Sequence, residues 1–227
     1  MIAELKACYP GVRKGKVATY GGDQRSLSSK TWQHCGCGLV AAFDLVRYLQ
    51  LHHTGFQTSL FTGIPSESQL PLPLYELCLR RMSHFVQILP LIGSSGFALA
   101  LGLNGYFRHY GLPLRASWSV SRDQLWPEVR KMLEQDLPVI LSVGKKLRHF
   151  NGERGVALYQ RSGEELLQTG KCVYAHFVTV TGVDEHWLKI ASWGKEFFMR
   201  KADFCRYCDT HSTNLLCTIV QLRPLAE

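Results

Sequence analysis

Residues 35–49 constrain this chain more than any other stretch. Cys35-Gly36-Cys37-Gly38 is small and tight, and it runs straight into a segment with apolar residues at 39, 42, 43, 46 and 49. That spacing is helical and predicts a buried helix over about 37–51. His52-His53-Thr54-Gly55 suits its stop. A cysteine therefore stands at, or one turn before, a helix N-terminus. The unpaired N–H groups and the positive dipole end there favour an anion, and hence a thiolate. One reading is a nucleophile held on a rigid buried helix. The other is that Cys35 and Cys37 are small apolar residues packed into a Gly-rich turn.

Further helices are predicted over Leu74–Gln87, Phe97–Tyr110 and Ser121–Asp136, the last with Ser121 as its N-cap. Residues 1–31 read as coil, and Ser66–Pro73 as a Pro-punctuated loop. From Leu137 the pattern changes. Pro138–Val143, Tyr174–Val183, Trp187–Trp193, Glu196–Met199 and Leu215–Arg223 read as strands, Leu114–Val120 as an earlier one, and Lys201–Tyr207 as a short helix. Lys145–Gly170 reads as loop with a hairpin or short helix. Helices first and an antiparallel sheet second make an α+β fold. The expectation is a single bilobal domain over 1–227, mainly helical at about 30–136 and mainly sheet at about 137–223.

Composition narrows the class. Hydrophobic and charged fractions of 46% and 19% are those of an ordinary globular protein, neither disordered nor fibrous. The net charge of +8 comes from scattered basic residues, so nucleic acid is not an expected partner. No apolar run is long enough to span a bilayer, and the N-terminus shows no secretory signal. Eight cysteines then read as reduced thiols, and the expected location is cytoplasmic. Cys205-Arg206-Tyr207-Cys208, with His211 and Cys217, offers four N/S ligands of the kind that hold structural zinc. The amphipathic spacing of that segment favours buried thiols, so no metal and no cofactor are expected.

A nucleophilic cysteine needs a base. Of nine histidines, His176 stands apart, because it opens an apolar strand, Phe177-Val178-Thr179-Val180-Thr181-Gly182-Val183. His52 and His53 fall at a helix end, and His109, His149, His186 and His211 near turns. A strand end on a rigid sheet is a good mount for a base.

Taken together, His34-Cys35-Gly36-Cys37-Gly38-Leu39, Ala175-His176-Phe177-Val178-Thr179-Val180 and Ala191-Ser192-Trp193-Gly194 resemble the papain-like cysteine peptidases, and within them the bacterial C39-like group. The Cys35–His176 separation falls in the roughly 130–150 residues usual for papain-type enzymes. The resemblance implies a Cys-His peptidase or amidase, with Cys35 as nucleophile, His176 as base and a peptide or amide as substrate. It also implies Gly36 and Trp193 at the substrate. Two departures are visible. Ala191 stands where relatives carry the Asn or Asp that orients the histidine, with Ser192 expected on the opposite face. The oxyanion-supporting Gln is absent from its usual place at Ser29, leaving Gln33 or Gln24 as substitutes. The alternative is a papain-like module that binds a peptide without cutting it.

Overall fold

The computed structural model describes residues 3–90, 93–146 and 155–225. Its helices are α1 (Lys30–Cys35), α2 (Cys37–His52), α3 (Leu72–Met82), α4 (Gly96–His109), α5 (Leu125–Glu134) and α6 (Lys201–His211). Its strands are β1 (Ala3–Glu4), β2 (Gly11–Lys14), β3 (Val17–Ala18), β4 (Gln69–Pro71), β5 (Leu114–Trp118), β6 (Val139–Val143), β7 (Val156–Ser162), β8 (Glu165–Val173), β9 (His176–Val183), β10 (Trp187–Ser192), β11 (Lys195–Arg200) and β12 (Ile219–Pro224). The fold is mixed α+β, built on a large antiparallel sheet ordered β5-β12-β6-β9-β10-β11-β7-β8, with β1 also paired to β9.

The centre of the molecule is α2 packed on β9. Gly38 through Gln50 are all buried, so this helix is enclosed on every side rather than along one stripe. Its buried polar residues are engaged internally, although Arg47 Nε has no hydrogen-bond partner among the described residues. Arg47 donates to the Pro65 and Glu67 carbonyls, both at 2.6 Å, and to Gln50 Oε1. Asp44 accepts the Gly22 N–H and the Tyr75 hydroxyl, each at 2.7 Å. Every residue of β9 after His176 is buried. Both α2 and α5 pack on that strand.

The sequence pattern misses the N-terminal strands. Residues 1–31 are not coil: Ala3–Glu4 joins the main sheet, while β2 forms a small sheet with β3 and β4. These strands are too short to show alternation. Within 66–73, Gln69–Pro71 pairs in parallel with β2, and α3 starts at once with Pro73 in its first turn, where a missing N–H costs nothing. The helix expected to reach Gln87 ends at Met82, and the chain beyond it continues as turns in which the Met82 carbonyl accepts from both Phe85 and Val86. Over Ser121–Asp136 a 3₁₀ turn precedes α5, and Ser121 makes no side-chain cap. The described part of 145–170 is largely the β7–β8 hairpin. His149 and the rest of 147–154 lie outside the described residues, as do 91 and 92 in the break before α4.

Candidate active site

The segment leading to Cys35 is fastened before it turns helical. Ser28 donates from its N–H and its hydroxyl to the two oxygens of buried Glu76, at 2.5 and 2.8 Å. Ser29 caps α1 by accepting the Trp32 N–H. The Gly36 N–H then donates to the Trp32 carbonyl at 2.9 Å, and its own carbonyl accepts from Val40. A Cβ on Gly36 would lie 2.4 Å from the Trp32 oxygen, so the joint between α1 and α2 requires glycine. Gly36 thus serves the helix joint and is not among the residues that line the cleft.

That cleft, of about 650 Å³, has Cys35, Cys37 and His176 together in its wall. The two cysteines differ in setting. Cys35, the last residue of α1, is half-buried. Cys37, the first of α2, is tucked against the sheet, where its sulfur meets the backbone N–H groups of Phe177 and Gly38 and burial pushes its thiol pKa up. It is held as a neutral thiol that pins α2 to β9.

His176 is fixed from behind. Ser192 Oγ lies 3.0 Å from its Nε2, which leaves Nδ1 as the ring's other nitrogen. Trp193 stacks on the imidazole, with centroids 4.9 Å apart and planes 25° from parallel. Arg25 caps the assembly, with its guanidinium 5.5 Å from the Trp193 ring centroid and a hydrogen bond to the Trp193 carbonyl. Burial pushes the His176 pKa down to about 4, and the positive charge of Arg25 pushes the same way. At neutral pH the imidazole is therefore uncharged and able to take a proton.

Ser192 is the main correction to the sequence reading. Ala191 pairs with Thr179, and strand alternation then puts His176 and Ser192 together on the other face. The Ala191 methyl instead packs with Tyr9 and Tyr48. Trp193 lies behind the ring, lining a second, small pocket rather than the cleft. It holds a left-handed φ of 49°, uncommon for a bulky residue. With Gly194 at φ 71° it forms the two-residue turn between β10 and β11.

Gln33 is engaged elsewhere. Its Nε2 donates to the Leu27 carbonyl at 2.6 Å, and its own carbonyl accepts from Gln24 Nε2 at 2.9 Å. Both glutamines act as struts under α1. The small pocket behind His176, about 20 Å³ or one water in size, is lined by Gln24, Asp44 and Ser192 among others. Burial raises the Asp44 carboxyl to about 7, against the opposing pull of its two hydrogen-bond donors. One sequence signal for Asp44 existed, an acid between Phe43 and Leu45 in an apolar helix.

A scan against protein-family models returns no match, and neither does a search of curated proteins. The site must speak for itself.

The second cysteine cluster is a packing feature. Cys208 and Cys217 hydrogen-bond to one another, and Cys205 lines the same small cavity beside Phe204 and Trp126. Among the described residues no group of three His, Cys, Asp or Glu side chains is arranged to hold a metal ion. No described helix is long and apolar enough to cross a membrane.

Proposed function

We propose that this chain is a papain-like cysteine hydrolase of the C39-like kind, cleaving a peptide or amide bond through a Cys35–His176 dyad. The observation that carries the reading is the shared cleft wall: a half-buried thiol and an imidazole whose rear nitrogen is occupied by Ser192. The Cys35 sulfur attacks the substrate carbonyl while His176 Nδ1 takes the thiol proton. His176 then gives that proton to the departing amine, leaving a thioester. Water, deprotonated by the same imidazole, attacks the thioester, releases the acid and restores the thiol. The N–H groups of the first turn of α2 serve the oxyanion, since the Gln33 amide is tied to Leu27.

With a histidine pKa near 4, the resting imidazole is uncharged at neutral pH and is free to take the thiol proton. A peptidyl epoxysuccinate probe tests this. We expect one adduct per chain, at Cys35, abolished by Cys35→Ala and His176→Ala and retained in Cys37→Ala. An adduct that follows Cys37 would reassign the nucleophile.

The engagement of Gln33 favours a second reading, a module that holds a peptide in the same cleft without cutting it. A chain that binds peptides but takes no adduct would support it.

A further inference from the structure

The far wall of the cleft is formed by the start of α4, a 14-residue helix whose first residues Gly96 and Phe97 both line it. Ser95 caps this helix by accepting the Ala98 N–H at 3.1 Å, and its carbonyl takes the Leu99 N–H. Among the described residues nothing accepts from the N–H of Gly96 or Phe97. Gly96 is required here for close packing, since a Cβ would fall 2.1 Å from the Trp118 ring. The bare backbone of a helix N-terminus is therefore presented to the cleft, with the positive end of its dipole.

A second, independent feature points to the same kind of ligand. Ser142 on β6 is 7% exposed and lines the cleft, and among the described residues its hydroxyl has no partner. A hydroxyl of a largely buried residue that reaches a cleft wall with no protein partner is free to donate to a ligand's acceptor. Among the described residues the cleft wall carries no Asp, Glu, Lys or Arg, so the backbone N–H groups and the hydroxyl at this end are neutral donors and suit one negative charge rather than a phosphate. Around them the surface is apolar. Phe97 and Leu215, both 62% exposed, stand with Trp118 and Leu216 on this wall.

We propose that this end of the cleft is a subsite for a free carboxylate next to a bulky apolar group. The substrate class is then a peptide, or an N-acyl amino acid, that ends in an apolar residue with its α-carboxylate free. The carboxylate accepts from the first-turn N–H groups of α4 and from the Ser142 hydroxyl. The side chain lies against Phe97 and Trp118. This rests on the cleft being the substrate cleft of the dyad, but it is tested by binding, without turnover.

The experiment titrates full-length Cys35→Ala protein at pH 7 with N-acetyl-L-phenylalanine and, separately, with N-acetyl-L-phenylalaninamide, by calorimetry. The acid should bind at least about tenfold more tightly than the amide. Ser142→Ala should bring the acid down toward the amide while leaving the amide unchanged, and Phe97→Ala should weaken both. Equal affinities, tighter amide binding, or no binding of either would overturn the subsite. A dyad with no carboxylate subsite still takes the epoxysuccinate probe, so the two failures are distinguishable.

Discussion

Ser192 decides how the imidazole is aimed. Its hydroxyl is the polar group at Nε2, where relatives of the resembled family place an amide or carboxylate. A serine gives a neutral hydrogen bond worth about 1.4 kcal/mol, so Ser192→Ala should slow Cys35 alkylation by about tenfold. The opposite experiment, Ala191→Asn, should restore nothing. The Ala191 methyl lies among Tyr9 and Tyr48, and a Cβ on Gly21 would lie only 3.2 Å from it. An amide there is buried in an apolar cluster at a cost of about 1–3 kcal/mol. We expect a lower Tm with Cys35 reactivity unchanged; a gain in reactivity would mean the orienting position is 191 after all. Cys35 and His176 were legible in the sequence because each sits at the end of a strongly patterned element. Ser192 was not, because its face depends on which β9 residue Ala191 pairs with, and a single strand does not reveal its register.

At the scale of elements, α2 and β9 each carry a buried titratable group lining the same small pocket, and their effects on stability oppose one another. His176 has its pKa lowered to about 4, so the unfolded chain binds its proton first. Its contribution is fully present above the unfolded value of about 6.5 and is lost as pH falls toward 4. Asp44 has its pKa raised to about 7. Its contribution is fully present below the ordinary carboxylate value and is lost as pH rises toward 7. Between about pH 4 and 6.5 the two slopes, each near 1.4 kcal/mol per pH unit, cancel. Denaturant titrations across this range should separate them. Relative to the parent, Asp44→Asn should gain stability as pH rises, and His176→Gln should lose it. Parallel curves for all three proteins would show that neither group is held as described. The helical partner was plain from its 3.6-residue spacing. Its burial on every side was not, since the groups that engage Arg47 and Asp44 lie in the distant 20–22 and 65–67 segments.

For the whole molecule, the order of helices before sheet was legible, and so was the run of strands from Leu137 onward. The missing part was how the early chain re-enters the late sheet. Ala3–Glu4 pairs with β9, and Gly22 accepts the Gly194 N–H while its own N–H reaches Asp44. These contacts link the Ser192–Trp193 turn to the nucleophile helix, and they are made by segments too short and Gly-rich to carry a periodic signal. The account's central claim is that the fold brings Cys35 and His176 together as one reacting unit. Iodoacetamide labelling at neutral pH, followed cysteine by cysteine by mass spectrometry, tests it most directly. Exposed Cys8 is the internal control. The account predicts that Cys35 labels fastest and that His176→Ala slows it by at least about tenfold, with Cys8 unaffected. A Cys35 rate equal to that of Cys8, or indifferent to His176→Ala, would contradict it.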